Sequence, residues 1–112
     1  MVETNKPYEE FKTEFRKWQE KFGLMGYKIY FRCEPIDLAL ADITVNQTSM
    51  LATVRFNPEH QDDRTPASSG KHEAIHLLVQ RVREMAYERF LRECEVEEAV
   101  EELVIKLEEL IQ

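Results

Sequence analysis

A change of period along the chain narrows the fold more than any other feature. Between residues 7 and 22, Tyr8, Phe11, Phe15, Trp18 and Phe22 recur every three or four positions, the spacing of one apolar helix face. Pro7 suits a first helical position and Gly23 a C-terminal cap, so a helix over 7–22 is predicted with both ends signalled. An aromatic stripe of this kind is packing surface, and it is assigned to one face of a sheet. From Tyr27 the period falls to two: Tyr27, Ile29, Phe31 and Cys33 alternate with Lys28, Tyr30 and Arg32, as in a strand with one buried face. Glu34-Pro35 interrupts the run, because proline cannot donate to a ladder. A second run from Leu38 to Val45 places Ala39, Ala41, Ile43 and Val45 on one side, and Asn46-Gln47-Thr48-Ser49 has the length of a hairpin connection. A third run, Met50 to Phe56, alternates again, and the short connections favour an antiparallel meander. Residues 57–70 are loop-like, with Thr65-Pro66 as a helix start and Ser69 as an alternative one. Helices over roughly 66–86 and 90–111 follow. The expected fold class is α+β: a helix, a small and mostly antiparallel three-stranded sheet, then two helices.

With 112 residues the chain has the size of one domain, and residues 1–112 are read as such. Hydrophobic residues make up 43% and charged residues 33%, a globular balance that argues against disorder. Lys and Arg number 15 against 22 Asp and Glu, a formal charge of −7, which is the wrong sign for a protein that binds phosphate backbones. No apolar run has the length of a membrane span or a signal peptide, so no membrane partner and a cytoplasmic location are expected. Cys33 and Cys94 are far apart and in no Cys-x-x-Cys pair; reduced, buried thiols are expected, without structural zinc or thioredoxin-type chemistry on cysteine.

The chemistry lies in His72-Glu73-Ala74-Ile75-His76. Two histidines four residues apart stand one above the other on a helix face, where both imidazoles reach a single ion, and residue type and spacing fit Zn2+. Glu73, one residue along, approaches from the side and can polarise a water held by the ion as general base. Leu77, Leu78, Val79, Val82, Met85 and Ala86 continue an apolar face beyond the motif, which keeps it on a helix. The alternative is two solvent-facing histidines on a surface helix.

A catalytic zinc site takes three protein ligands and keeps one open position, so a third is needed. Downstream, Tyr87, Leu91, Cys94, Glu98 and Ile105 form one helical stripe, distinct from the main apolar stripe of Val96, Val100, Leu103, Leu107 and Ile111. Glu98 is thereby flanked by apolar side chains, where an unpaired carboxylate is costly unless a cation meets it. Glu98 is chosen; Glu97 and Glu101 come next, and Cys94 and His60 after them. Taken without the histidines, this is an ordinary acidic, solvated helix face. Glu102, four residues after Glu98, is placed to support a ligating imidazole. Arg83, Tyr87 and Arg89 are candidate donors to the oxyanion of a tetrahedral intermediate, each with a surface or packing role as the alternative.

These residues resemble the gluzincin metallopeptidases, the thermolysin-like zincin group in which His-Glu-x-x-His is followed on a second helix by a glutamate ligand. Within that group the chain looks most like the minigluzincins, and the resemblance covers nearly its whole length. It implies a backing helix, a small sheet, an active-site helix and a glutamate helix, in the order read from periodicity. It implies His72, His76 and Glu98 as ligands and Glu73 as the base. Glu98-Ala99-Val100-Glu101-Glu102 is similar to the family's glutamate-helix motif, with Glu102 where aspartate is usual; Gly70-Lys71 also departs from the apolar residues usual before the first histidine. The implied activity is that of a metalloendopeptidase, cleaving peptide or unfolded protein substrates laid along an edge strand, for which Met50 to Phe56 is the candidate. The resemblance also implies a latent form, with a terminal segment such as 106–112 in the cleft.

The competing class is a noncatalytic zinc-binding interaction protein that retains a peptidase frame. A coiled-coil partner protein is a third reading, but Val96, Val100, Leu103, Leu107 and Leu110 span only about two heptads, short of the three or four that a coiled coil needs.

Overall fold

The computed structural model describes residues 6–37, 39–59, 64–86 and 92–110. The chain runs α1 (Lys6–Lys21), β1 (Lys28–Cys33), β2 (Ala41–Asn46), β3 (Leu51–Phe56), α2 (Pro66–Ala86) and α3 (Glu93–Leu110), an α+β fold. None of the described helices is long and apolar enough to cross a membrane.

The ends of α1 and α2 form for local reasons that the sequence already carries. Gly23 takes φ 71°; its N–H donates to the Glu20 carbonyl and that of Leu24 to the Gln19 carbonyl, at 3.0 and 2.9 Å, the paired bonds of a Schellman cap. Gln19 is buried and donates from Nε2 to the Leu24 carbonyl at 3.0 Å, tying the cap to the helix. At the start of α2, Thr65 Oγ1 accepts from the Ser68 N–H at 3.0 Å, so the helix begins at Pro66 and not at Ser69.

The sheet order is β1-β3-β2. β2 and β3 are antiparallel, from Ala41 opposite Phe56 to Asn46 opposite Leu51. β1 and β3 are parallel, from Lys28 beside Leu51 to Cys33 beside Phe56, which corrects the antiparallel meander. The reason lies in the connections. The turn through Met50, which takes φ 57°, is short enough to join only antiparallel neighbours. Residues 34–40 make no tight return: Asn57 gathers them, its Nδ2 donating to the carbonyls of Ile36 and Ala39 at 2.9 and 3.1 Å. β2 therefore passes β1 by, and β3 fills the place between. β3 is the strand best able to lose both edges, since Ala52, Val54 and Phe56 are all buried. Alternation alone is satisfied by either direction.

α1 and α2 cover the same sheet face. Phe11, Phe15, Phe22, Ala52, Val54, Phe56, Ala74 and Leu77 form one core, with Ala41, Ile43 and Val45 packed against it. The helices cross at Gly70, where a Cβ would lie 2.5 Å from the Phe11 carbonyl oxygen. The departure from an apolar residue at Gly70 thus has a packing cause.

α3 departs further from expectation. Ala99 is its one buried residue among those described, while Val96, Val100 and Leu107 of the expected main stripe are 42%, 47% and 40% exposed; Ile111 lies outside the described residues. Lys106 Nζ donates to the carbonyls of Phe22 and Gly23, at 3.0 Å each, at the negative end of the α1 dipole. This charge contact seats the helix together with buried Ala99, half-buried Leu103 and Leu110, which packs against the core. Cys33, at the end of an edge strand, and Cys94, in the first turn of α3, are both exposed, against the expectation of buried thiols.

Candidate metal centre

The two histidines of α2 converge. His72 Nε2 and His76 Nε2 are 3.2 Å apart, and the rings meet edge to face with centroids 4.8 Å apart. Two imidazoles bound to one tetrahedral zinc at about 2.0–2.1 Å bring their nitrogens about 3.3 Å apart, so the pair fits two positions of such an ion. Both side chains face outward, because the core-facing side of α2 is taken by Ala74 and Leu77 and the histidines lie some 100° or more from Leu77 at about 100° per residue. Partial burial, then the charge of Arg64 and that of His76, lower the pKa of His72, favouring the neutral imidazole that a metal requires.

Glu73 sits one step around the helix and is 6% exposed. Burial, with the Asp42 carboxylate adding to it and Arg64 opposing it, pushes its pKa from 4.5 up to about 7. Asp42 is itself held by Arg55 on the neighbouring strand, whose Nε donates to Oδ1 at 2.8 Å while Nη2 meets Oδ2; Glu34 lies 3.6 Å from Arg55 Nη1. Glu73 therefore lies near a charged network of Asp42 on β2, Arg55 on β3 and Glu34, in which Arg55 is committed to Asp42 and only Arg64 acts to lower the Glu73 pKa.

The acidic residues of α3 are elsewhere. Arg81 Nη1 donates to Glu102 Oε2 at 2.8 Å and Nη2 to Glu98 Oε1 at 3.3 Å. Arg81 lies nine residues after His72 and five after His76, which at about 100° per residue puts it about 180° and 140° around α2 from them. Glu98 and Glu102 thus meet the far flank of α2. The Glu98 side chain is 68% exposed rather than set among apolar neighbours, since Cys94 and Ile105 on its face are exposed as well. Glu97 and Glu101 are also exposed on α3. Among the described residues no group of three or more His, Cys, Asp or Glu is placed to hold a metal ion. His60, Tyr87 and Arg89 lie outside the described residues.

Two elements complete the surroundings. Arg83 is exposed on the histidine side of α2, seven residues and hence two turns beyond His76. β2 is an edge strand whose Ile43, Thr44 and Val45 line a cleft with Gln80, Arg83 and Glu84 of α2. β3 is the central strand, paired on both sides. Met50 to Phe56 therefore cannot offer a free edge, and β2 can. Asp42 and Arg55 near Glu73, and Arg81 against Glu98 and Glu102 on the other flank, carry no signal in the sequence: a lone charged residue at a strand or helix position has no periodic mark of its partner. Comparison with protein-family models, with curated proteins and with solved structures finds no match to this chain.

Proposed function

We propose that this chain is a zinc-dependent peptidase, held here in a resting arrangement. The reading rests on one observation: the Nε2 atoms of His72 and His76 stand 3.2 Å apart with Glu73 between them in sequence. His72 and His76 would hold two positions of the ion; Glu98, the third ligand that the sequence resemblance implies, is paired with Arg81 in this arrangement. Zinc there would supply a Lewis acid. Glu73, with a pKa near neutrality, is suited to take a proton from water and return it to the leaving amine. An extended peptide or unfolded chain would add along the free edge of β2, with Arg83 as the candidate donor to the developing oxyanion.

The test combines metal analysis with Glu73→Gln. Wild type is expected to retain about one zinc per chain and to cleave an unfolded protein; Glu73→Gln is expected to retain the metal and lose cleavage. A protein that takes up no zinc from metal-replete buffer sinks the reading.

A noncatalytic zinc-binding interaction protein is the second reading, favoured by the hold of Arg81 on both Glu98 and Glu102. Zinc-loaded wild type that cleaves no unfolded substrate would support it.

A further inference from the structure

The outer side of α2 and α3 is apolar and open. Ile75 and Val82 lie about 160° and 140° around α2 from the core residue Leu77, at about 100° per residue, and so point away from the sheet. Arg81, about 40° from Leu77 on the same count, is on the sheet side, and Glu98 and Glu102 reach it there. Those two carboxylates mark the sheet side of α3. Val96, Val100 and Leu107 lie on the opposite side of buried Ala99, by about 60–100°, and turn outward with Val104. Ile75, Val82, Val96, Val100, Val104 and Leu107 are each 37–47% exposed. The helices run antiparallel, since α3 passes from Glu98 beside Arg81 to Lys106 at Gly23, and Gly23 borders one cavity with Leu77 and Leu78. Two helices side by side therefore share one apolar band, of the kind that marks an interaction surface.

The two rims of this band carry opposite charge. Glu93, Glu97 and Glu101 are exposed along the far edge of α3, about 120–200° from Ala99. Arg83 is exposed on the other edge, two residues and hence about 160° around α2 from Arg81. It is level with the middle of α3, because its neighbour Arg81 meets Glu98 and Glu102. We infer that the band pairs two copies of this chain: about a twofold axis along the helices, α2 of each copy lies on α3 of the other, apolar band on apolar band, with Arg83 of each copy toward Glu97 and Glu101 of the other. A twofold dimer requires one surface to complement itself, and the opposed rims meet that requirement. An axis across the helices would instead set α3 on α3 and carboxylate on carboxylate, which like charges oppose. The stripe of α3 is too short for a coiled coil by itself, but α2 supplies a second helix. Two helices about 10 Å apart and about 27 Å long present about 500 Å² in plan, below the roughly 800 Å² per partner of a standard interface, so the dimer is a weak one. The pairing depends neither on metal nor on the peptidase reading.

Sedimentation equilibrium of the full chain, with chelator present, tests the pairing. Wild type is expected to associate reversibly into dimers with a Kd of about 10–100 µM, the weak end for interfaces of this size. Val82→Gln combined with Val100→Gln is expected to weaken association by about tenfold or more while the far-UV circular dichroism of the monomer stays unchanged. Arg83→Glu alone and Glu97→Arg alone should each weaken it about three- to tenfold, the scale of a few exposed ion pairs, and the two reversals in one chain should restore it. A chain that stays monomeric at its highest soluble concentration overturns the pairing and leaves the band to a different protein. Dimers as tight with both glutamines as without them also overturn it, as does a double charge reversal no tighter than either reversal alone.

Discussion

Gly70 of α2 lies directly against the backbone of Phe11 in α1, so close that any Cβ at position 70 would stand 2.5 Å from the Phe11 carbonyl oxygen and 3.0 Å from the Phe15 nitrogen. The two obstacles are backbone atoms inside a helix and cannot rotate away. Gly70→Ala is expected to force α1 and α2 apart and to cost about 1–3 kcal/mol, the scale of overpacking a closed interior, even though alanine is the better helix former. Thermal unfolding followed by circular dichroism checks this; a variant as stable as wild type would mean the helices do not cross here.

Glu73 makes the stability of the metal-free protein depend on pH. Its carboxyl has an ordinary value of 4.5 and is pushed to about 7 in the fold, so between these values the folded state binds more protons than the unfolded one. Stability attached to this group is complete below pH 4.5 and is lost as pH rises through 7, to a total of about 3 kcal/mol. Urea denaturation at pH 5 and pH 8 should show wild type losing stability at the higher pH and Glu73→Gln losing distinctly less. Equal losses in the two proteins would place the pH dependence elsewhere.

His72 and His76 are both exposed, so replacing either with alanine removes no core contact. Each substitution is expected to leave thermal stability within about 0.5 kcal/mol of wild type, as for other surface changes. Zinc retention should fall by more than the roughly 10- to 100-fold that loss of a supporting residue costs. Metal content after dialysis, measured beside thermal unfolding, separates a ligand from a packing residue. A variant that keeps its zinc would exclude that histidine as a ligand.

Asn57 is buried and uses both ends of its amide: Nδ2 donates to the Ile36 and Ala39 carbonyls, and Oδ1 accepts from the Glu59 N–H at 3.0 Å. Asn57→Ala removes those bonds, and a loss of about 1–3 kcal/mol in all is expected, because the groups it leaves belong to half-buried or exposed residues that water can partly satisfy. The loop it gathers leads into β2, so hydrogen exchange should quicken in residues 34–46 more than in α1. Uniform change across the chain would argue against this local role.

Much of the local structure was legible in the amino-acid sequence. Pro7 and Gly23 bracket α1, Thr65 and Pro66 start α2, and the half-buried face of Ala41, Ile43 and Val45 follows from alternation, because caps and periodicity are properties of neighbouring residues. The four-residue spacing of His72 and His76 set both imidazoles on one helix face for the same reason.

Tertiary structure decided the rest. Alternation in β1 and β3 marks the buried face of each strand and is silent about its neighbour, so the parallel pairing emerged only once Asn57 and the turn through Met50 fixed the path of the chain. The two stripes of α3 likewise show where the helix is apolar and not which contact seats it. Lys106 at the end of α1 and Arg81 on the far flank of α2 make contacts that those stripes do not announce. Such charge contacts join residues from 17 to 84 positions apart, and no local pattern in the chain records them.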